Sequence, residues 1–235
     1  MIIPRRYNGP PESAHGGYTC GLVARVLGGE AEVTLRRPPP LERELEVALQ
    51  SGDETVELLD GEAVVAEGRK VEFELDVPEP VSGEEAAKAS RGYAGFRRHA
   101  YPTCFACGPD RDDGLGVFAG PVPGREGLVA APWSPSGDVA PEHEIVWAVL
   151  DCPSGWAVDD FQREGVLLGR MAARVLREAV AGEPHVVAGW PLAYEGRKRY
   201  AGSALWGPDG EVLAYARSTW IVPGAATERG RAPEA

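Results

Sequence analysis

The sequence predicts an α+β fold of two similar halves, each an antiparallel sheet wrapped around one central helix. Three observations predict it. Each half contains one apolar stretch with helical spacing, most other apolar residues alternate with polar ones, and short motifs of the first half recur in the second. Alternation with a period of two is typical of strands, and a period near 3.6 is typical of helices. We therefore expect two related units in tandem.

Composition limits the class of partner. The chain has 235 residues, 43% of them hydrophobic, which is normal for a globular protein with a core. Its formal net charge of -12 argues against nucleic acids and anionic membranes, which bind large positive patches. No run approaches the roughly 18 apolar residues of a membrane span, and residues 1–9 contain Pro4, Arg5 and Arg6 rather than an apolar signal core. We expect a cytoplasmic protein that acts on a small molecule.

The first half is predicted to start with a short strand at residues 1–3 and a turn-rich loop through Asn8 and Pro11. A helix should follow, because five apolar residues then recur at helical spacing: Tyr18, Leu22, Val23, Val26 and Leu27. Gly28-Gly29 should end it, since glycine is common just past a helix C-terminus.

Strands are predicted after this helix, where apolar residues alternate with charged or polar neighbours. The alternating residues are Ala31, Val33, Leu35, Leu45, Val47, Val71 and Phe73. Asp60-Gly61 predicts a hairpin turn between residues 55–59 and 63–66, because a two-residue turn with positive φ favours this dipeptide.

The boundary between the halves is placed in a charged, proline-bearing stretch from Asp76 to Arg91, with a short helical segment at residues 84–89. We expect an N-terminal unit at residues 1–80, a linker at 81–100, a C-terminal unit at 101–223 and a disordered tail at 224–235. The alternative is that the stretch is a surface excursion within one domain.

An internal repeat supports this division. The matching segments are Leu35-Arg36-Arg37 with Leu176-Arg177-Glu178, Asp60-Gly61-Glu62 with Asp209-Gly210-Glu211, and Val64-Val65-Ala66 with Val212-Leu213-Ala214. Each Ala is followed three residues later by an arginine, Arg69 or Arg217. The repeat places residues 166–180 in a strand, although their propensity alone favours a helix.

The second half should contain its own helix, from His143 to about Asp151, followed by strands. Pro153 is expected to break or kink this helix, because proline lacks the amide hydrogen that continues the backbone hydrogen bonds.

His15-Gly16-Gly17 at a helix start, followed by an arginine-rich strand, a Glu and an Asp-Gly hairpin, resembles the hotdog fold of acyl-CoA thioesterases. The duplicated form resembles a double-hotdog member of that group, and the resemblance spans nearly the whole chain. It implies a sheet that wraps one long helix in each half, two hotdogs packed side by side, a coenzyme A thioester as substrate and no cofactor.

A second motif, Cys104-Phe105-Ala106-Cys107-Gly108, resembles the entry strand in front of many single-domain hotdog thioesterases, and it places the start of the second hotdog near Tyr101. A metal site would need two ligands besides Cys104 and Cys107, and the sequence offers only Cys20, Cys152 or a distant histidine. We therefore predict no metal, with zinc as the alternative.

Thioester hydrolysis needs donors for the developing oxyanion and a carboxylate that activates water or attacks directly. The amides of Gly16 and Gly17 suit the first task, because the first amides of a helix are unpaired and the helix dipole favours negative charge there. In the family, an acid lies nine positions after the histidine of this motif, but here that position holds Ala24. The second half has the acid, Asp151, and His143-Glu144 where the glycines would stand.

If the halves pair as hotdog subunits do, Gly16 and Gly17 should face Asp151, which gives one complete site and one degenerate site. Asn8 is a second candidate donor to the carbonyl, although it also suits an ordinary turn before Gly9. Three consecutive basic residues are candidates for binding coenzyme A phosphates or for guarding an exposed strand edge: Arg197, Lys198 and Arg199.

The predicted function is acyl-CoA hydrolysis, with Asp151 as general base or nucleophile. Resemblance to TesB-like thioesterases would imply a catalytic triad of Asp, Thr and Gln. That triad does not carry over, because this chain has Arg170 or Met171 near the position of the Asp and Arg217 or Ser218 near that of the Gln. A non-catalytic acyl-binding protein and a hydratase or dehydratase remain alternatives, the last without the Asp-x-Asn-Pro-x-His pattern of MaoC-type hydratases. Because hotdogs often pack further, we expect a homodimer.

Overall fold

The computed structural model describes residues 1–50, 52, 54–135, 140–158 and 165–223. The α-helices are α1 (Gly16–Val26), α2 (Gly83–Ser90) and α3 (His143–Ala157), with short 3-10 helices at Arg5–Tyr7 and Ala94–Phe96. The first-half strands are β1 (Ala31–Leu35), β2 (Glu46–Gln50), β3 (Thr55–Asp60) and β4 (Ala63–Lys70). The second-half strands are β5 (Gly120–Pro121), β6 (Val129–Trp133), β7 (Leu167–Val175), β8 (His185–Glu195), β9 (Lys198–Trp206) and β10 (Val212–Ile221).

All these strands form one antiparallel sheet in the order β2-β3-β4-β1-β7-β10-β9-β8-β6-β5. The halves therefore meet at the pairing of β1 with β7, and each half extends outward from that junction. The predicted α+β architecture of two sheets fused in tandem is confirmed, and in the described residues the two sheets are continuous.

The strand pairing at the junction is symmetric about a two-fold axis that relates the two halves. Ala31 pairs with Ala173, and Val33 pairs with Met171, so the axis passes between Glu32 and Ala172. Leu35 pairs with Ala66 on β4, as Val175 pairs with Ala214 on β10.

This register makes Leu35 equivalent to Val175. The sequence motifs had aligned Leu35 with Leu176, which is one residue further along. The equivalence of Ala66 and Ala214 holds. A one-residue error in a strand exchanges its two faces, so the structure corrects which side chains of β7 correspond to those of β1.

The two long helices cross at close range because α1 carries glycines on the face that meets α3. A Cβ on Gly17 would lie 2.5 Å from the Cβ of Asp151, and one on Gly21 would lie 2.5 Å from the Cα of Glu144. Glycine at these two positions lets the backbones approach. The buried faces of both helices belong to one hydrophobic core with the inner face of the sheet.

Several local predictions are confirmed. Helix α1 ends at Val26 and is followed by Gly28 and Gly29, both with positive φ. The Asp60-Gly61 turn joins β3 to β4, the segment predicted at 84–89 is α2, and residues 167–175 form the strand that the repeat predicted.

Other local predictions are wrong. Residues 1–3 contribute only an isolated bridge between Ile2 and Glu44, and Val71 and Phe73 lie beyond the end of β4. Of the break or kink expected at Pro153, the break does not occur, since α3 runs on to Ala157 and is packed along β8, β9 and β10.

The cysteine motif at residues 104–108 forms turns, not the entry strand that the sequence suggested. It is tied to the first half, because the Phe105 amide donates to the Asn8 carbonyl (N···O 2.7 Å). The predicted tail at 224–235 lies outside the described residues. None of the helices in the described part of the chain is both long and apolar enough to cross a lipid bilayer.

Candidate active site between the two helices

The site is built where the N-terminus of α1 meets the middle of α3. The first amides of α1 have no acceptor within the helix, and the amide of Gly17 donates to Oδ2 of Asp151 with an N···O distance of 2.7 Å. Of the two glycines expected to face Asp151 across the two halves, Gly17 therefore contacts it directly.

His15 caps the same helix end. Its Nδ1 accepts from the Tyr18 amide at 3.3 Å and lies 3.4 Å from Oδ2 of Asp151. The imidazole is fully buried among protein groups. His15 thus contacts the carboxylate that the sequence analysis selected, in addition to its role at the helix end.

Asp151 lies in an environment that is unusual for a carboxylate. The side chain is buried, and burial raises its pKa to about 6, against the opposing effects of His15 and the Gly17 amide. Oδ1 accepts no hydrogen bond from any described residue. One oxygen is therefore held in place while the other has no protein partner.

A cavity of about 520 Å³ lies at the start of α1. Asp151, His15 and Gly16 line it together with an apolar wall, whose members include Leu35, Val166, Leu168, Trp220 and Ile221. A polar group at the end of an apolar cavity is a common arrangement in small-molecule sites. The cavity can thus bring an apolar chain and a polar head group to Asp151.

Gly16 is the residue best placed to contact a ligand carbonyl. It is the first residue of α1, so its amide has no acceptor within the helix, and it lines the cavity. A Cβ at this position would lie 2.9 Å from the Leu168 side chain, so glycine also keeps this part of the cavity open.

The repeat places a counterpart of this site on the other side of the helix pair, and its residues differ. By the repeat, Ala24 stands in place of Asp151 and Glu144 in place of Gly17. Glu144 is buried and forms an ion pair with Arg25 (Nη1···Oε1 2.7 Å). The carboxylate is thus neutralised by a neighbour on α1, as expected for a position that keeps structure and not chemistry.

The structure places Asn8 away from the cavity lining. Its Nδ2 donates to the Gly9 carbonyl (3.1 Å) and to Thr103 Oγ1 (3.3 Å), and its Oδ1 accepts from Arg111 (3.0 Å). These bonds hold the loop before α1 to the loop that carries Cys104. Because the side-chain amide of Asn8 already bonds to protein groups, a structural role fits it better than donation to a substrate carbonyl, the role considered from the sequence.

The three basic residues proposed for phosphate binding lie at the β8–β9 hairpin and do not line the cavity. Arg197 donates to the Val222 carbonyl, and Arg199 donates to the Gly196 carbonyl. Two other arginines do line the cavity: Arg36, which pairs with Glu67, and Arg37, which is exposed. Sequence reasoning missed them because nothing in a strand pattern shows which strand end borders a cavity.

Sequence reasoning named Cys104, Cys152 and a distant histidine only for an alternative metal site, and it did not place these sulfur and imidazole groups beside Asp151. His15 Nε2 lies 3.3 Å from Cys152 Sγ, and Cys152 Sγ lies 3.8 Å from Cys104 Sγ. The only available signal was the position of Cys152 next to Asp151, because residues 15, 104 and 152 are far apart in the chain.

The fold is shared with solved structures of low sequence identity. A candidate thioesterase from Novosphingobium aromaticivorans is 14% identical, with a TM-score of 0.63 over 95% of this chain and 94% of that one. The acyl-CoA thioesterase II of Mycobacterium marinum is 12% identical, with a TM-score of 0.57 over 96% and 92%. A protein of unknown function with a hot dog fold from Alicyclobacillus acidocaldarius is 11% identical, with a TM-score of 0.53 over 95% and 92%.

No protein-family model matches the sequence, and no curated protein matches it. The structural similarities cover nearly the full length of this chain and of the other chains, and they establish that the chain has the tandem hotdog fold.

Proposed function

We propose that the chain is an acyl-CoA thioesterase with a single site, in which Asp151 acts on a thioester bound at the N-terminus of α1. One observation carries the proposal: Asp151 is oriented by the Gly17 amide through Oδ2, while Oδ1 has no partner among the described residues. Its side chain lies at an apolar cavity. The acyl-CoA thioesterase II among the structural neighbours supports the same class of reaction.

The chemistry assigns separate tasks to the two ends of the site. The thioester carbonyl lies at the start of α1, where the Gly16 amide donates to its oxygen and the helix dipole stabilises the negative charge that develops. Oδ1 of Asp151 takes a proton from a water molecule as the water oxygen bonds to the carbonyl carbon. The C–S bond then breaks, and the proton passes to the thiolate of coenzyme A.

The Gly17 amide has a supporting task in this scheme. It is already engaged by Asp151, so it holds the base in position and leaves the oxyanion to Gly16. The sequence-based expectation allowed the amide of Gly16 or of Gly17 to act on the carbonyl, and this scheme assigns that role to Gly16.

Arg36 and Arg37 are the proposed contacts for coenzyme A phosphates. Both line the cavity, whereas Arg197, Lys198 and Arg199 do not. Guanidinium groups match phosphate oxygens in geometry and charge, and they remain charged at any physiological pH.

A non-catalytic acyl-binding protein is the second candidate function. The observation in its favour is the engagement of the Gly17 amide by Asp151, which removes one oxyanion donor. Such a protein would bind acyl-CoA in the same cavity but would not cleave it.

Hydrolysis of a panel of acyl-CoA esters by wild-type protein and by Asp151→Asn separates the two functions. For a thioesterase we expect the substitution to lower kcat by about 10²- to 10⁴-fold, the usual contribution of a general base, with the fold intact because the amide oxygen can still accept from Gly17. Glu144→Gln is the matched control, since it changes another buried carboxylate of α3 and should keep activity.

Two outcomes contradict the proposal. Equal hydrolysis by wild type and Asp151→Asn would remove Asp151 from the site. Binding of acyl-CoA by the wild type without any hydrolysis of the panel would favour the binding protein.

A further inference from the structure

Two of the four cysteines border the cavity at the start of α1. All four are free thiols, but Cys104 and Cys152 line the cavity and keep 4% and 3% of their surface exposed. Cys20 and Cys107 are 0% exposed and are not among the residues that line it. A small solute in the cavity therefore meets one pair of thiols, and the hydrolytic reaction proposed above uses neither of them.

The two sulfur atoms lie close to each other. Cys104 Sγ is 3.8 Å from Cys152 Sγ. A disulfide bond is about 2.05 Å long, so the sulfurs must approach by roughly 1.8 Å, less than a change of side-chain rotamer moves a sulfur atom. Cys152 is held on α3, whereas Cys104 lies in the turns of residues 101–108, so these turns supply the movement.

Hydrogen bonds give the two thiols different roles. His15 Nδ1 accepts from the Tyr18 amide, so the ring proton is on Nε2, which donates to Cys152 Sγ at 3.3 Å. Hydrogen bonds from the thiols of Cys107 and Cys152 hold the pKa of the Cys104 thiol well below its usual value. Burial raises the pKa of the Cys152 thiol well above its usual value. Cys104 is therefore the nucleophilic thiolate, and Cys152 keeps its proton.

We propose that Cys104 and Cys152 are a site of reversible oxidation, at which a hydroperoxide that enters the cavity converts the two thiols to a disulfide. The pair combines a nucleophilic sulfur, a second sulfur within reach of it and an opening to the cavity. Redox-sensitive cysteines typically have these three properties.

The reaction has two steps. With hydrogen peroxide as the oxidant, the Cys104 thiolate bonds to one peroxide oxygen as the O–O bond breaks, and the departing hydroxide takes up a proton to become water. The Cys152 sulfur then bonds to the sulfur of the Cys104 sulfenic acid, and the hydroxide that leaves combines with the Cys152 proton as a second water. The two thiols are oxidised, and the peroxide is reduced.

The product would connect two parts of the site. It would link the turns of residues 101–108 to α3 at the residue that follows Asp151, in the wall of the cavity. The oxidation does not depend on the proposed hydrolysis, because thiols and not acyl-CoA turnover report it.

The experiment follows the thiols of the full-length wild-type protein, which is first reduced and then treated with hydrogen peroxide. We expect the intact mass to fall by two hydrogen atoms per chain and a peptide that links Cys104 to Cys152 to appear after digestion. Cys20 and Cys107 should remain available for alkylation in denaturant, which shows that the reaction is local. Dithiothreitol should restore all the thiols.

Substitutions separate the roles of the two cysteines. Cys152→Ser should stop the reaction at a sulfenic acid on Cys104, which dimedone traps, because the second sulfur is missing. Cys104→Ser should slow the oxidation of Cys152 at least tenfold. Cys20→Ser is the matched control, because it changes a buried cysteine of the other central helix and should form the disulfide at the wild-type rate.

The wild-type protein alone can overturn the proposal, even if a variant does not fold. Retention of all four thiols at a peroxide dose that oxidises glutathione in the same solution would remove the site. A disulfide between Cys104 and Cys107, or a sulfinic acid on Cys104 without any disulfide, would overturn the pairing.

Discussion

The backbone amide of Gly17 donates a 2.7 Å hydrogen bond to the carboxylate of Asp151, and this bond joins the central helix of one half to that of the other. Each half has one of the two groups, since Ala24 stands at the repeat position of Asp151 and Glu144 stands at that of Gly17. One complete site therefore requires both halves, and neither half contains the site alone.

Gly17→Ala tests the closeness of this contact. The added Cβ would lie 2.5 Å from the Asp151 Cβ and 2.7 Å from the Trp147 carbonyl oxygen, and backbone atoms cannot move aside cheaply. We expect a loss of about 1–3 kcal/mol in the free energy of unfolding, as for other overpacked cores, together with a fall in activity as Asp151 shifts. Denaturant unfolding and hydrolysis assays measure the two effects.

Gly83→Ala is the control for that substitution. Gly83, like Gly17, lies in the first turn of a helix, but a Cβ there meets no atom within 4 Å. We expect it to be neutral or to stabilise the protein by about 0.5–1 kcal/mol, since alanine favours helix. Equal destabilisation by both substitutions would mean that helix propensity, and not the contact with Asp151, makes Gly17 necessary.

Glu32 tests the junction between the two halves of the sheet. It lies at the two-fold axis, mostly buried, and contacts arginines of three other strands: Arg69 (2.7 Å), Arg170 (3.6 Å) and Arg217 (4.0 Å). Arg69 and Arg217 are the arginines of the sequence repeat. Glu32→Gln should cost about 1–3 kcal/mol, because it leaves several guanidinium groups without a counter-charge, although these groups keep part of their hydration.

Glu67→Gln is the matched control for the junction. The side chain of Glu67 is 40% exposed and pairs with Arg36, so its loss should cost less than about 1 kcal/mol. Both variants can be compared by urea unfolding at low and high salt. A smaller effect at Glu32 than at Glu67 would contradict the view that the arginines of the repeat are held together by one buried carboxylate.

The parts of the fold that follow local rules were predictable from the sequence. Tyr18 and its apolar partners specify a helical face, and Asp60-Gly61 specifies a turn, because these depend on neighbours in the chain. The strand at residues 167–175 needed the repeat, since its own composition favours a helix. Pro153 does not break α3, because the helix is packed on the sheet, and no local pattern reports that packing.

The site divides in the same way. Gly17 and Asp151 could be paired from the sequence because the repeat relates the two helices and a known spacing locates the acid. Cys104 and Cys152 could not be paired, because their meeting depends on the path of a loop without regular structure. Arg37 was missed for a similar reason, since the border of a cavity is set by side chains from several distant elements.

Arg37 tests where coenzyme A lies. It is exposed at the cavity, and no ion pair to it occurs among the residues that the structure describes. We expect Arg37→Glu to raise KM for acyl-CoA by roughly ten- to a hundredfold, which corresponds to the loss of about 1.5–3 kcal/mol from one charge-assisted hydrogen bond, with little change in kcat. An acyl-pantetheine substrate, which lacks the nucleotide phosphates, should show no such increase.

Lys198→Glu provides the comparison, because Lys198 belongs to the basic hairpin outside the cavity lining and receives the same reversal of charge. We expect its KM to stay close to that of the wild type at moderate salt, where distant surface charges are screened. A larger rise in KM for Lys198→Glu than for Arg37→Glu would place the nucleotide at the β8–β9 hairpin. Coenzyme A would then approach the cavity from the side of β10, where Lys198 pairs with Ile221.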